Sequence, residues 1–332
     1  MTVTIAGAGM AGLVAAARAR ELGLTPRVFE KGTRPGGSML LSSCVVWRHR
    51  RFEDFRAECP NGDPELQRLI WERLDDALEW LVSKGAPVVW EQTRNPSTTG
   101  KRFEPRGLVE ALAGDVQLEA PLPERVEGPL ILATGGFPVR LARERGLLVR
   151  ANPWSEGDGI EHARAHGAEL TGGLDEFYGR AMPGPVPEQE LVAASQLYGR
   201  YARRVNDLGE EFFPGEPSWS ENDLAQAIAH QPDGRAWYEL DAEALGRPEV
   251  AERIPYVQET EPLPGGGLRV RVYAAVTHTL GGLKVDAGAR AAEGIWVAGV
   301  DAGGAALGGY ASGLAQALVL GLVAAESVHA CG

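Results

Sequence analysis

Residues 2–13 read TVTIAGAGMAGL, and this stretch decides the fold. Thr2–Ala6 is a short run rich in β-branched residues, which predicts a first strand. The glycine motif GAGMAG follows at once at 7–12, and the alanine-rich stretch Leu13–Leu22 predicts a helix that ends at Gly23. A strand, a glycine turn and a helix in direct succession predict the opening of a Rossmann-like βαβ unit.

The three motif glycines have separate physical tasks. Gly7 permits the tight turn, Gly9 lets the backbone approach a pyrophosphate, and Gly12 allows the helix to pack closely on the strand. The phosphates would lie at a helix N-terminus, where free N–H groups favour negative charge. A second strand is predicted over Arg27–Glu30, and the Glu30 carboxylate could accept hydrogen bonds from ribose hydroxyls. A glycine-rich turn that binds nothing is the alternative interpretation.

The composition restricts the partners. The chain has 332 residues, 44% of them hydrophobic, and a formal net charge of -12. An acidic surface argues against nucleic acid and against an anionic membrane as partners. The basic run 48–51 (RHRR) is a local exception, interpreted as a solvated loop, with a phosphate or substrate patch as the alternative.

The three cysteines predict neither a zinc site nor a CxxC redox pair. Cys44, Cys59 and Cys331 are too sparse and too widely spaced for either, so no metal is expected and a reducing, cytoplasmic location is predicted. No signal peptide is visible. The longest apolar stretch, Gly313–Ala325, is interrupted by Gln316 and is shorter than the roughly 20 residues of a membrane span, so no span is predicted.

The middle of the chain differs in composition from its ends. Residues 137–271 contain many proline, charged and aromatic residues, whereas strand and glycine-turn patterns return afterwards. The predicted organisation is therefore an FAD- or NAD-type domain from 1–136 and 272–332, with an inserted cap or substrate domain at 137–271. A long amphipathic helix is predicted over Pro64–Lys84, and a final helix over roughly Ala311–Val328.

Five ordered motifs carry a resemblance to a known family. They are Glu30-Lys31 followed by Gly36-Gly37-Ser38, LATGG at 132–136, THTLGGL at 277–283, IWVAGVD at 295–301 and LGGYASG at 307–313. Together they resemble the superfamily of fumarate reductases, succinate dehydrogenase flavoproteins and 3-ketosteroid dehydrogenases, and the last motif is most similar to that of the 3-ketosteroid Δ4-dehydrogenases. The resemblance covers both ends of the chain, about half of its length.

This resemblance implies an α/β fold: a two-segment FAD-binding domain of the glutathione-reductase type with an inserted α+β cap. It implies non-covalent FAD, because the Gly36–Ser43 segment contains no histidine and Cys44 is interpreted as a small buried residue, with a reactive thiol as the alternative. The cofactor-binding residues that motifs and resemblance imply are Gly7, Gly9, Ala11, Gly12, Glu30, Lys31, Gly36, Gly37, Ser38, Ala133, Thr134, Gly135, Asp301, Ala311 and Ser312. Asp301 could contact the FAD linker, with a capping carboxylate as the alternative.

The resemblance also implies the chemistry. These enzymes move a hydride between the flavin and a carbon of an activated C–C or C=C bond, while a second group handles a proton. Tyr310, assisted by Ser312, resembles the proton-handling pair, and a phenol could serve if its neighbours lower its pKa from about 10. His278 resembles a substrate ligand. A core tyrosine and a structural histidine are the alternatives.

Departures from the family direct the choice of substrate. Ala306 stands where a dicarboxylate-binding arginine is usual, Glu211 where a basic residue is usual, and Trp219 near the expected proton-donor arginine. We therefore expect a neutral, apolar, carbonyl-bearing small molecule instead of succinate or fumarate, with an electron acceptor or donor that the sequence does not identify. Aromatic residues that could line its pocket are Trp154, Phe177, Tyr178, Tyr198, Tyr201 and Trp219.

Three other functions stay open. An amine or amino-acid oxidase or dehydrogenase would need an arginine for the substrate carboxylate, such as Arg140, Arg180 or Arg204. A non-catalytic flavin-binding protein is compatible with the missing arginines. A tRNA-modifying flavoprotein is disfavoured by the acidic charge.

Overall fold

The computed structural model describes residues 1–195 and 198–332. Its helices in these ranges are α1 (Met10–Glu21), α2 (Phe52–Glu58), α3 (Pro64–Ser83), α4 (Pro105–Leu112), α5 (Pro138–Arg145), α6 (Asp158–Ala165), α7 (Leu191–Ala194), α8 (Asn222–Ala229), α9 (Ala242–Leu245), α10 (Pro248–Ala251) and α11 (Gly313–Cys331). The strands are β1 (Thr2–Ala6), β2 (Thr25–Phe29), β3 (Val45–His49), β4 (Val88–Trp90), β5 (Thr98–Phe103), β6 (Val116–Gln117), β7 (Leu130–Leu132), β8 (Leu148–Val149), β9 (Phe177–Met182), β10 (Arg203–Val205), β11 (Arg235–Leu240), β12 (Thr260–Leu263), β13 (Gly267–Thr279), β14 (Arg290–Ala292) and β15 (Ile295–Val297).

A mostly parallel sheet is built from both ends of the chain. Its strand order is β14-β15-β7-β1-β2-β6, with only the β14–β15 pair antiparallel. In register, Ile5 of β1 lies beside Val28 of β2 on one side and Ile131 of β7 on the other. The carboxyl ends of β1, β2, β7 and β15 therefore meet at one edge, where open α/β sheets bind their ligands. This confirms the predicted Rossmann-like α/β class.

The first helix begins earlier than predicted. It runs from Met10, three residues before the predicted start, and Gly9 is its N-cap residue. The helix therefore starts inside the glycine motif, so its first-turn N–H groups lie directly beside the turn at 7–9. The amphipathic helix α3 occupies Pro64–Ser83, one residue shorter than predicted. Asp63 fixes its start by accepting hydrogen bonds from the amides of Glu65 and Leu66.

The last helix, α11, packs against α1 and α3. It begins at Gly313, with Ser312 as its N-cap, two residues after the predicted start. By length and composition alone α11 could cross a membrane, but 67% of its apolar window is buried inside the protein, as in a core helix. Its contact with α1 is close, since a Cβ added to Gly321 would lie 2.8 Å from the carbonyl oxygen of Ala11.

A small antiparallel sheet of order β3-β5-β4 contains half of the basic run. Arg48 and His49 belong to strand β3, so the interpretation of 48–51 as a loop is wrong for these two residues. The Arg48 guanidinium bonds to Asp75 and lies 4.6 Å from the ring centroid of Trp71, and Arg50 donates to the carbonyl oxygen of Pro96. These side chains are thus bound to neighbouring protein groups.

The chain divides into two compact units. The first comprises Met1–Pro138, Asn152–Glu176 and His278–Gly332, and the second comprises Val139–Ala151 and Phe177–Thr277. The second unit contains an antiparallel sheet of order β10-β11-β13-β12, with β8 and β9 also paired to β13, and α8 packs on β9. The predicted division placed 152–176 in the cap, whereas these residues cluster with the nucleotide-binding fold.

Candidate cofactor site

Of the three glycines in the motif, only one has space for an added side chain. Gly7 has φ +98°, and a Cβ there would lie 2.2 Å from the carbonyl oxygen of Ala133. A Cβ on Gly12 would lie 1.9 Å from the carbonyl oxygen of Gly7. At Gly9, by contrast, φ is -72° and the nearest atom to an added Cβ, the Cα of Gly37, is 4.0 Å away. Gly7 and Gly12 are therefore required by the protein's own packing, while Gly9 faces room for a ligand.

The Glu30 carboxylate lies at the end of β2 and is buried. Its Oε2 accepts the amide of Ala8 at 2.8 Å, and its Oε1 accepts the amide of Gly32 at 2.7 Å. These two bonds hold the carboxylate against the glycine turn. Each oxygen keeps further acceptor capacity, so the geometry fits ribose hydroxyls as additional donors.

The Gly36–Ser38 loop lies directly against the glycine turn. The Gly36 amide donates to the carbonyl oxygen of Ala8 at 2.7 Å, and a Cβ on Gly37 would lie 3.1 Å from the Cα of Gly9. The Ser38 hydroxyl oxygen accepts the amide of Asn152 at 2.9 Å. The turn at 7–9 and the loop at 36–38 are distant in sequence, but they lie side by side and form one wall of the candidate site.

Two residues near this wall have partners that sequence reasoning missed. The Lys31 ammonium bonds to Glu156 and Asp158, each at 2.9 Å. Asp158 is the first residue of α6, whose N-cap residue is Gly157, and the helix has no side-chain cap. Trp154, expected in a substrate pocket, packs on the loop after β2, since a Cβ on Gly32 would lie 2.5 Å from its ring. Segment 154–158 thus covers the loop that follows Glu30.

Asp301 joins the carboxyl end of β7 to the C-terminal segment. Its carboxylate accepts the amides of Thr134 and Gly136 and the hydroxyl of Thr134. The side chain is fully buried, and burial raises its pKa while the backbone N–H groups oppose that rise. Its contacts are those of a residue that fixes the Ala133–Gly136 turn, which sequence analysis predicted at the cofactor.

Two buried glutamines brace the C-terminal segment, and neither was among the predicted site residues. The Gln316 amide donates to the carbonyl oxygens of Gly299 and Ala302, at 2.9 and 2.6 Å. The Gln67 amide donates to those of Cys59 and Ala305, at 2.9 and 2.8 Å. The sequence feature that could have identified Gln316 is its position as the one polar residue that interrupts the apolar stretch 313–325.

The structure brings two of the three predicted catalytic residues together. The Ser312 hydroxyl caps α11 by accepting the amide of Ala315 at 3.2 Å. A Cβ on Gly313 would lie 2.8 Å from Nε2 of His278, so the imidazole lies against the first turn of the same helix. Tyr310 lies two residues before the cap, and its ring centroid is 5.4 Å from that of Trp47. Ala311 is partly exposed between them.

His278 should make stability depend on pH. Burial lowers the pKa of its imidazole from 6.5 to about 4, so the ring is neutral at pH 7. Because the unfolded chain binds this proton more tightly, the contribution of His278 to stability is present above pH 6.5 and is lost as pH falls towards 4. We expect urea midpoints of wild type to fall more steeply between pH 6.5 and 4.5 than those of His278→Gln. His230→Gln, on the exposed end of α8, is the control; equal slopes for all three proteins would contradict this.

Thiol reactivity should be confined to one cysteine. Cys44 and Cys59 are buried, and burial raises the pKa of the Cys44 thiol to about 12 and that of Cys59 still further, whereas Cys331 is exposed. We expect iodoacetamide at pH 8 to label Cys331 alone in the native protein and all three cysteines in urea, read by peptide mass spectrometry. Labelling of native Cys44 at a comparable rate would contradict the burial.

Comparison with family models matches both segments of this site. Residues 5–53 match the NAD(P)-binding Rossmann-like domain, and residues 123–317 match the family described as FAD binding domain. The second match spans more than half of the chain. The chain belongs to the FAD-binding domain family. The predicted cofactor, FAD, is thereby confirmed, and the FAD-binding chain is an FAD-dependent oxidoreductase by family.

Solved structures share its fold. A flavocytochrome c3 fumarate reductase in an open conformation is 19% identical, with TM-score 0.71 over 99% of this chain and 78% of that one. A 3-ketosteroid-Δ4-(5α)-dehydrogenase from Rhodococcus jostii RHA1 is 18% identical, with TM-score 0.72 over 98% and 96%. A 3-ketosteroid Δ1-dehydrogenase from Sterolibacterium denitrificans is 15% identical, with TM-score 0.73 over 100% of both. No curated protein matches the FAD-binding chain.

Proposed function

We propose that the FAD-binding chain oxidises or reduces a C–C bond next to a carbonyl in a neutral, apolar small molecule. When bound, FAD supplies the hydride acceptor or donor for such chemistry. The chain itself must then bind the carbonyl and move the proton on the neighbouring carbon. Tyr310 is the proposed proton-handling residue, Ser312 its helper, and His278 the proposed carbonyl ligand.

One observation carries this proposal: His278 lies against the first turn of α11, at the helix end that follows Tyr310 and Ser312. The free N–H groups of a helix N-terminus favour negative charge. A neutral imidazole beside them can hydrogen-bond an oxygen that becomes negative when a carbonyl substrate enolises. Proton transfer and carbonyl polarisation would then be provided by neighbouring groups of one segment.

The missing arginines support a neutral substrate. Ala306, which occupies the place of a dicarboxylate-binding arginine, is buried and apolar. The two similar 3-ketosteroid dehydrogenase structures contain 4-androstene-3,17-dione and 1,4-androstadiene-3,17-dione, which are carbonyl compounds without a carboxylate. We therefore propose a 3-keto steroid, or a compound of similar polarity, as the substrate class.

An amine or amino-acid oxidase is less well supported. Arg180 and Arg204, suggested as carboxylate ligands, are both buried in the second unit. Arg180 already donates to the Tyr178 hydroxyl and the Ser220 carbonyl, and Arg204 to the Gly199 carbonyl. Phe177 and Tyr178, suggested for a substrate pocket, are also buried core residues of that unit.

Anaerobic flavin bleaching tests the proposal. The FAD-loaded protein is mixed with 4-androstene-3,17-dione, succinate or a panel of amines and amino acids, and the flavin absorbance near 450 nm is followed. We expect only the steroid to reduce the flavin, or only its unsaturated product to reoxidise chemically reduced flavin. Bleaching by an amine alone would replace the proposal with the oxidase alternative, and response to dithionite alone would favour a non-catalytic flavoprotein.

We also propose that FAD is held without a covalent bond and that the protein works in the cytoplasm. The burial of the Cys44 thiol supports the first point, and the three free cysteines in the described ranges support the second. Precipitation with trichloroacetic acid should release all flavin into the supernatant. A yellow pellet would contradict non-covalent binding.

A further inference from the structure

We propose that Gln67 is a positioning residue for Tyr310. This inference rests on the proposed function, in which Tyr310 moves the substrate proton. Gln67 lies in the first turn of α3, far from the glycine motifs in sequence, and its side chain is fully buried. Its side-chain hydrogen bonds go to Cys59, Ala305 and Arg56, and Ala305 belongs to the segment that leads to Tyr310.

The Gln67 amide connects two loops. Its Nε2 donates to the carbonyl oxygens of Cys59 and Ala305, and its Oε1 accepts from the Arg56 guanidinium at 2.5 Å. Arg56 also donates to the carbonyl oxygen of Gly62 at 2.7 Å. A buried amide with every partner in place fixes both loops, because losing one bond leaves a buried polar group unpaired.

The connection continues from Cys59 to Tyr310 in one step. Burial raises the pKa of the Cys59 thiol, and a hydrogen bond from the Tyr310 backbone opposes that rise, so the residue whose carbonyl Gln67 holds lies against the backbone of the tyrosine. The neighbouring Gly309 is packed equally closely, since a Cβ there would lie 1.7 Å from the carbonyl oxygen of Glu58. The Asp63 amide donates to the carbonyl oxygen of Gly304 at 2.8 Å. Loop 58–63 is thus the support on which segment 304–310 rests.

These contacts predict the effect of removing the Gln67 side-chain hydrogen bonds. Without the two Nε2 donors, loop 58–63 and segment 304–310 lose the bonds that Gln67 makes to each of them, and we expect the phenol to shift relative to Trp47. A displacement of about 1 Å in a reacting group can cost about a hundredfold in rate. We expect Gln67→Met to lower kcat by about tenfold to a hundredfold with KM changed much less, since the fully buried Gln67 is proposed to act through Tyr310.

The decisive readout needs no substrate. The near-UV circular dichroism of each FAD-loaded protein is compared with that of its Tyr310→Phe counterpart, which isolates the signal of the Tyr310–Trp47 ring pair. We expect this difference signal to be strong in wild type and much weaker in the Gln67→Met background. The matched control is Gln316→Met, which also removes two amide-to-carbonyl bonds from a buried glutamine but acts on Gly299 and Ala302; its difference signal should equal that of wild type.

A second variant covers the case in which Gln67→Met does not fold. In Gln67→Glu, an ionised carboxylate cannot donate to either carbonyl, whereas a protonated carboxyl can donate to one. The Arg56 guanidinium, which bonds to Oε1 of Gln67, would favour the ionised form, so kcat should fall as in Gln67→Met. An unchanged ring-pair signal, an equal loss in Gln316→Met, or a wild-type kcat in Gln67→Glu would overturn the inference. Full turnover in Tyr310→Phe would instead remove Tyr310 from the proton-handling role in the proposed function and leave the ring-pair result standing.

Discussion

Gly9→Val should produce a folded protein that no longer binds FAD. Gly9 has φ -72° and the nearest atom to an added Cβ is 4.0 Å away, so the protein itself tolerates a side chain there. We predict that the backbone approaches the pyrophosphate in this open space, which valine would fill. We expect the dissociation constant for FAD to rise at least about a hundredfold with the urea midpoint of the apoprotein unchanged. Titration of flavin fluorescence measures the first quantity.

Two matched glycine variants sharpen this experiment. Gly12→Val should fail to fold, because its Cβ would lie 1.9 Å from the carbonyl oxygen of Gly7. Gly215→Val, where no atom lies within 4 Å of an added Cβ, should keep both stability and FAD affinity. If Gly9→Val bound FAD as tightly as Gly215→Val, the phosphates would not lie at this turn.

Tyr310→Phe should lower kcat by about 10² to 10⁴-fold, the usual contribution of a general acid or base. The ring keeps its packing against Trp47, 5.4 Å between centroids, so only the hydroxyl is lost. FAD affinity and KM should change little, because the phenol is proposed to act on the substrate proton. Stopped-flow flavin reduction by the steroid measures the chemical step directly.

Tyr273→Phe is the control for that variant. The Tyr273 hydroxyl bonds to Glu259 on the second unit, and its loss should leave flavin reduction unchanged. Reduction by Tyr310→Phe at the wild-type rate would remove Tyr310 from the proton-handling role, and Ser312 or His278 would be tested next.

Much of the backbone geometry of the site could be predicted from local sequence, because short motifs encode it. Gly7 and Gly9 lie in the turn that the spacing predicts, Gly12 lies in the first turn of α1, and Glu30 directly follows the second strand beside that turn. These features depend on conformations or close approaches that only a few residue types allow, so the sequence states them directly. The cofactor roles of the individual residues remain predictions.

Tertiary contacts could not be predicted in the same way. Gln67 is one polar residue on an amphipathic helix, and nothing local indicates that it meets Ala305, 238 positions later. Likewise nothing local indicates that the Lys31 ammonium bonds to the Asp158 carboxylate, 127 positions later. Trp154 was assigned to a substrate pocket because aromatic residues favour pockets, yet it packs on Gly32. In each case the partner comes from a distant segment.

The central claim is that both ends of the chain form a single FAD site. Hydrogen–deuterium exchange of the apoprotein and of the protein with equimolar FAD tests this claim most directly. The account predicts that FAD protects amides in two distant stretches together, one within residues 7–38 and one within residues 299–313, with little change in β9 to β11 of the second unit. Protection confined to the first stretch, or no protection in either, would contradict a single FAD site built from both ends of the chain.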